Sequence, residues 1–117
     1  MGVGFEWELE FWDWSFVMAD ENDGKALGAE AIAARAAELP AGWSVERGRL
    51  VRAFKLKDFA QALALVNRIG ELAEARDHHP DLSLGWGRVG VELRTHSVDG
   101  LTAADFELAA AIEALPR

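Results

Sequence analysis

Apolar positions follow two different periods along the chain, and the changes of period mark its elements. In residues 29–39, Ile32, Ala36 and Leu39 fall at helical spacing in a stretch rich in Ala, Glu and Arg, and Pro40 stops it. Residues 43–45 and 50–56 read as two short strands around the Gly-containing turn Glu46-Arg47-Gly48-Arg49. Asp58, with Gln61 three residues on, supplies an N-cap and its capping-box partner. Behind it Phe59, Leu63, Val66, Ile69, Leu72 and Ala73 repeat at helical period, which predicts a helix from about Phe59 to about His78, ended by Pro80. Residues 82–86 and 88–95 form a second predicted hairpin, turned near Gly87, with Val89, Val91 and Leu93 on one face and Glu92, Arg94 and His96 on the other. Thr102 caps a last predicted helix over residues 103–115, whose buried stripe is Phe106, Leu108, Ala109, Ile112 and Leu115. The order αββαββα implies an α+β fold of two layers, a four-stranded antiparallel sheet with the helices packed on one face.

The first 24 residues do not share this pattern. Phe5-Glu6-Trp7-Glu8-Leu9-Glu10-Phe11 alternates strictly and Trp12-Asp13-Trp14-Ser15-Phe16 follows. Acids at every other position exclude both the unbroken apolar run of a signal peptide and a spanning helix of about 20 apolar residues. The alternation predicts a strand with one apolar face, able to add to a sheet edge or a partner chain; the alternative is an upstream extension with Met18 as the natural start. Residues 19–28 are polar, acidic and Gly-containing, so residues 1–24 are expected to be leader and linker, and residues 25–117 the single domain.

Charge changes the picture through its distribution. Of the net −8, seven acids and no Lys or Arg lie in residues 1–24, which leaves 13 acids against 12 bases in the body. No basic stripe is present to release counterions, so a nucleic-acid partner is set aside, and no segment suits a membrane. Cysteine is absent, which removes disulfides, thiolate nucleophiles and cysteine-based metal sites and fits a reducing cytoplasm, the expected location.

The candidate chemistry lies in the three histidines, His78, His79 and His96. Glu74 precedes His78 by four residues, so a continuous helix would place the two on one face, one turn apart. A helix C-terminus and a nearby carboxylate both favour the protonated imidazole, whose ordinary pKa of about 6.5 suits proton exchange near neutrality. His79 should diverge from His78, so one can move protons while the other positions a substrate. A metal site competes, but helical zinc motifs place two histidines at i and i+4, and here that pair is Glu74 and His78. The bland reading of His78-His79 is a polar helix end. Because both His78 and His96 are expected at element ends, their replacement should cost little stability.

The run Glu74-Ala75-Arg76-Asp77-His78-His79-Pro80, five residues to Trp86, nine to His96, then Gly100-Leu101-Thr102 and Asp105, resembles the signature of the pterin-4a-carbinolamine dehydratases, also called the dimerisation cofactor family. Gly42-Trp43, Leu50-Val51-Arg52, Phe54-Lys55-Leu56 and Asp58-Phe59 extend the resemblance over about residues 29–115. It implies dehydration of 4a-hydroxytetrahydrobiopterin, the product left by aromatic amino-acid hydroxylases, to quinonoid dihydropterin in tetrahydrobiopterin recycling. It implies no metal and no organic cofactor, a small-molecule pterin as substrate, and a homodimer or homotetramer. Residues matching His78, His79 and His96 would act as the catalytic acid–base and binding groups, with Glu74 and Asp105 beside the substrate. Trp86 and Trp43 could stack on a pterin, although an aromatic at a strand end is more often core. Asp105 has a structural alternative at the N3 position after Thr102, where a carboxylate stabilises a helix start. The rival functions are a non-enzymatic dimerisation or assembly scaffold of the same fold and a small-molecule binding domain without catalysis.

Overall fold

The structure, a computed structural model, describes residues 25–117. The predicted leader strand lies outside the described residues. Helix α1 spans Ala29–Ala36, strands β1 Trp43–Glu46 and β2 Arg49–Lys55, helix α2 Phe59–Arg76, strands β3 Asp81–Gly85 and β4 Arg88–Leu93, and helix α3 Ala103–Glu113. The strands form one antiparallel sheet in the order β1-β2-β4-β3. The expected three helices and four-stranded antiparallel sheet of an α+β fold are therefore present. Arg47 and Gly48 both take positive φ, of 54° and 75°, so the β1–β2 connection is the two-residue turn whose twist matches that of its strands.

Alternation along the strands decides which face is covered. Leu50 and Phe54 of β2 and Val89, Val91 and Leu93 of β4 are buried, and so are Ala62, Leu65, Ile69 and Ala73 of α2 and Phe106, Leu108, Ala109 and Ile112 of α3. These side chains form one core between the sheet and the two long helices. The α2 stripe is rotated from the predicted one. Ala62 and Leu65 face the core while Phe59 and Leu63 are 45 % and 41 % exposed, because the small side chain of Ala62 lets the helix approach the sheet on that side. Helix α1 is shorter than expected, ending at Ala36, and buries no residue fully.

The C-terminal end of α3 is fastened to the sheet by Glu113. Its carboxylate accepts from Trp43 Nε1 at 2.8 Å, from Arg52 Nε at 3.0 Å and from Arg52 Nη2 at 3.1 Å, with Arg117 Nη2 at 3.2 Å. Trp43 is thus a core residue, 8 % exposed, rather than a stacking surface. The Arg52 guanidinium lies 4.0 Å above the centroid of Phe54 and packs on Gly42, where a Cβ would fall 2.7 Å from Arg52 Cζ. Gly42, at φ 99°, is therefore required both by its backbone and by the arginine it admits.

Hydrogen bonding from Arg52 holds the Glu113 carboxyl below its usual value of 4.5; burial opposes this, and Trp43 and the charges of Arg52 and Arg117 reinforce it. A carboxyl depressed in the folded state stabilises the fold above its unfolded pKa, and that contribution is lost as pH falls through the folded value. Glu113→Gln is expected to lower stability at neutral pH by about 1–3 kcal/mol, since it leaves Arg52 without its ionic partner. Thermal unfolding followed from pH 7 down to below pH 4 should show the gap between variant and wild type closing; a gap independent of pH would contradict this account.

Candidate active site

Three chain segments bring the histidines to one end of the domain. The first is the end of α2. Asp77 adopts the left-handed conformation, φ 52° and ψ 43°, and His78 N–H donates to the Ala73 carbonyl at 3.1 Å, so the helix closes at Arg76 rather than continuing to His78. One left-handed residue reverses the expected pairing. His78 is turned off the helix and inward, where its Nε2 lies 2.6 Å from Asp105 Oδ1, and it is His79 that meets Glu74, Nε2 to Oε2, at 2.7 Å. Glu74 and His78 do not pair as a helical i, i+4 couple because His78 has no helical position.

The second segment follows β4. That strand ends at Leu93, and His96 occupies a tight turn from Thr95 to Gly100, closed by the Thr95 N–H to Gly100 carbonyl bond at 2.8 Å. His96 is exposed. The third segment is the start of α3, where Asp105 is fully buried and Thr102 precedes the first turn. Asp105 Oδ2 accepts from the Thr102 N–H at 2.9 Å, so the structural role expected of it as the N3 carboxylate is real. The same carboxylate also accepts from Thr95 Oγ1 at 2.8 Å. As a carboxylate it can only accept, so the 2.6 Å contact assigns a proton to His78 Nε2 and makes Nδ1 the nitrogen whose protonation can change.

His78 and Asp105 are joined directly, and His96 is the chain neighbour of Thr95, which contacts the same carboxylate. His79 and Glu74 lie beside them on the outer side, with their side chains 55 % and 78 % exposed. A cleft of about 230 Å³ opens at His78, lined also by Arg76, Ala104, Glu107 and Leu108, and a broad depression of about 760 Å³ runs from Glu74 along Val66 and Gly70 to Leu82. Trp86 is not brought to this cluster. It sits 74 % exposed at the β3–β4 turn, the far end of a hairpin whose near end is Asp81, at roughly 3.3 Å per residue some 15 Å away. A trough of about 430 Å³ on the open face of the sheet, between Arg88 and Asp81, holds none of the histidines and so offers no proton-transferring imidazole. Among the described residues no group of three or more His, Asp or Glu side chains is arranged to hold a metal ion, and no helix is long and apolar enough to cross a membrane. Thr95 is the functional candidate that sequence reasoning missed, because its partner lies ten residues away and no spacing rule points to it.

Comparison with known proteins identifies the family. The family model for pterin 4 alpha carbinolamine dehydratase matches residues 25–115. The chain belongs to that family. It is 46 % identical over 90 residues to a protein of Rubrobacter xylanophilus, covering 76 % of this chain and 83 % of that one, and 53 % identical over 91 residues to one of Chlorobium limicola, covering 74 % and 80 %. Both relatives carry the name pterin-4-alpha-carbinolamine dehydratase provisionally. The crystal structure of a transcriptional coactivator/pterin dehydratase from Brucella melitensis superposes with a TM-score of 0.72 at 32 % identity, covering 77 % of this chain and 97 % of that one. A pterin dehydratase-like RuBisCO assembly factor of the alpha-carboxysome shares the fold at TM-score 0.54 and 22 % identity, over 64 % of this chain and 92 % of that one.

The burial of Asp105 revises the expected cost of replacing its partner. The His78 side chain is only 17 % exposed and Asp105 is 0 % exposed. His78→Ala should lower stability by about 1–3 kcal/mol, because a buried acceptor loses its donor, whereas His96→Ala should stay within about 0.5 kcal/mol. Denaturant unfolding of the two variants checks this; equal, negligible losses would mean that the His78–Asp105 contact contributes nothing to the fold.

Proposed function

We propose that this protein dehydrates a 4a-hydroxytetrahydropterin, 4a-hydroxytetrahydrobiopterin by preference, to the quinonoid dihydropterin through histidine acid–base catalysis, as a step in tetrahydrobiopterin recycling. The observation that carries the reading is the 2.6 Å contact between His78 and the buried Asp105, one residue away from the pairing of His79 with Glu74. It joins family membership to an oriented imidazole, the arrangement that proton transfer requires.

The chemistry balances without a cofactor. The C4a–O bond breaks as the leaving hydroxyl takes a proton and departs as water, N5 loses its proton, and the electron pair left there forms the C4a=N5 double bond. An acid and a base must therefore flank the ring in opposite protonation states. In this reading His78 and His96 exchange these protons, and Asp105 keeps His78 in the tautomer whose Nδ1 is reactive. His79, steadied by Glu74, holds the ring. Trp86, distant within one chain, has no part in the single-chain site.

We also propose that the domain is residues 25–117 and that it assembles as a homodimer or homotetramer. The family match begins at Lys25, the outer strands β1 and β3 each have one unpaired edge among the described residues, and Phe59 and Leu63 leave an apolar strip on α2. Light scattering at micromolar concentration should give a dimer or tetramer both for the full chain and after deletion of residues 1–17. A strict monomer with full activity would exclude assembly as a requirement, and loss of folding on deletion would make the leader part of the domain.

Decay of 4a-hydroxytetrahydropterin, followed spectroscopically with and without the protein, tests the activity itself. His78→Ala and His96→Ala should each lower turnover by roughly two to four decades, and His79→Ala should act mainly on KM. Glu74→Gln should be milder and shift the pH profile through His79. Wild-type turnover in both His78→Ala and His96→Ala would remove the mechanism, and no turnover in the wild type would leave the reading of a non-enzymatic scaffold of the same fold.

A further inference from the structure

Thr95 has a single hydroxyl proton and two neighbours that could take it. Its Oγ1 is 2.8 Å from Thr102 Oγ1 and 2.8 Å from Asp105 Oδ2. A carboxylate has no proton to give, so the Thr95 proton goes to Asp105, and the Thr102 hydroxyl must supply the proton for the Thr102–Thr95 bond. The chain of donors therefore runs one way, from Thr102 to Thr95 to Asp105, and meets His78 from the other side of the carboxylate. Thr102 and Asp105 are both fully buried, so water does not compete with these bonds.

The backbone of Thr95 is engaged as firmly as its side chain. Its N–H donates to the Gly100 carbonyl at 2.8 Å, and its own carbonyl accepts from Val98 at 3.3 Å and Gly100 at 3.4 Å. The turn so closed is completed by Asp99, left-handed at φ 50° and bonded to Arg94 Nη1 at 2.6 Å. His96 is carried on this turn with its Cα about 3.8 Å from that of Thr95.

We propose that Thr95 is a positioning residue whose hydroxyl ties the turn carrying His96 to the same buried carboxylate that orients His78, so that one group sets both proton-transferring histidines. The proposal rests on the reading of these histidines as the acid–base pair. It adds a residue to which neither the spacing of the histidines nor a helix cap assigns a role, and it makes the threonine a regulator of the strength of the Asp105–His78 contact. Each donor on Oδ2 spreads the carboxylate charge and makes Oδ1 a weaker acceptor. Losing one concentrates charge towards His78 and favours its imidazolium form.

Thr95→Val keeps the branched shape and the backbone bonds, removes the proton given to Asp105 and leaves the Thr102 hydroxyl without its acceptor. The His78 ring, followed by NMR titration, should then protonate at a pH higher by about half a unit to one unit. Turnover of 4a-hydroxytetrahydropterin should fall about tenfold in kcat with KM within about twofold, and the pH profile should move in the same direction as the His78 titration. Thr95→Ser, which restores the hydroxyl, should recover both, and Thr95→Ala takes the place of Thr95→Val if the valine variant does not fold. A His78 titration unchanged or lowered in Thr95→Val, or Thr95→Ser as impaired as Thr95→Val, overturns the proposal. The two readings separate cleanly, because a shifted titration with no wild-type turnover would sink the dehydratase assignment alone, and normal turnover with an unshifted titration would sink the role of Thr95 alone.

Discussion

A fully buried carboxylate is costly unless donors surround it, and Asp105 draws its donors from three different parts of the chain. His78 arrives from the end of α2, Thr95 from beyond β4, and Thr102 from the start of α3. The Thr102 bond is local to the start of α3, but the His78 and Thr95 bonds form only when the end of α2 and the segment after β4 have packed against that helix, so satisfying one side chain fixes the mutual placement of three element ends. Removing any donor leaves an acceptor that the interior cannot solvate. The end of the domain that carries His78 and His79 is thereby tied together through α2, the segment after β4 and α3.

Helix α3 is held at both ends by acids, with opposite relations to its dipole. Asp105 lies in the first turn, where the exposed amides favour a negative charge, and its bond to the Thr102 N–H is part of that favour. Glu113 lies in the last turn, where the carbonyls disfavour one. A carboxylate there persists because Arg52, Arg117 and Trp43 all point at it, and hydrogen bonding from Arg52 is strong enough to keep its pKa low in spite of burial. The two contacts divide the labour: Glu113 fixes the helix to β1 and β2, and Asp105 joins its other end to His78 and Thr95.

Much of this was legible in the order of residues. The period changes located all seven elements, and the alternation of Val89, Val91 and Leu93 chose the covered face of β4. Two features were not legible, for physical reasons. Helical spacing places Phe59 and Leu63 on the α2 stripe, whereas close packing on the sheet selects the small side chain of Ala62. Pro80 as a stop predicts a helix that runs to His78, but Asp at position 77 is one of the few residue types that accepts a left-handed cap. That one residue moves the boundary by two positions and exchanges the partners of His78 and His79. The Thr95–Asp105 bond lay beyond any local pattern, since only the packed α3 brings the two together.

The fold alone does not carry the activity, since a RuBisCO assembly factor shares the architecture at 22 % identity. What distinguishes a catalytic use of these elements is the difference between the two adjacent imidazoles. His79 pairs with Glu74 at the surface, where solvent screens the charges and an ion pair contributes little to stability, so the contact mainly steadies a side chain. His78 faces a carboxylate that is itself fully buried, so in the proposed mechanism the donors on that carboxylate bear on the imidazole with little screening by solvent. A scaffold would need the first histidine no more than the second. The burial of Asp105 has a use beyond stability only if the proton on His78 matters, and a hydroxyl-donor chain two threonines long, aimed at a group already capped by a backbone N–H, is more than a helix start requires.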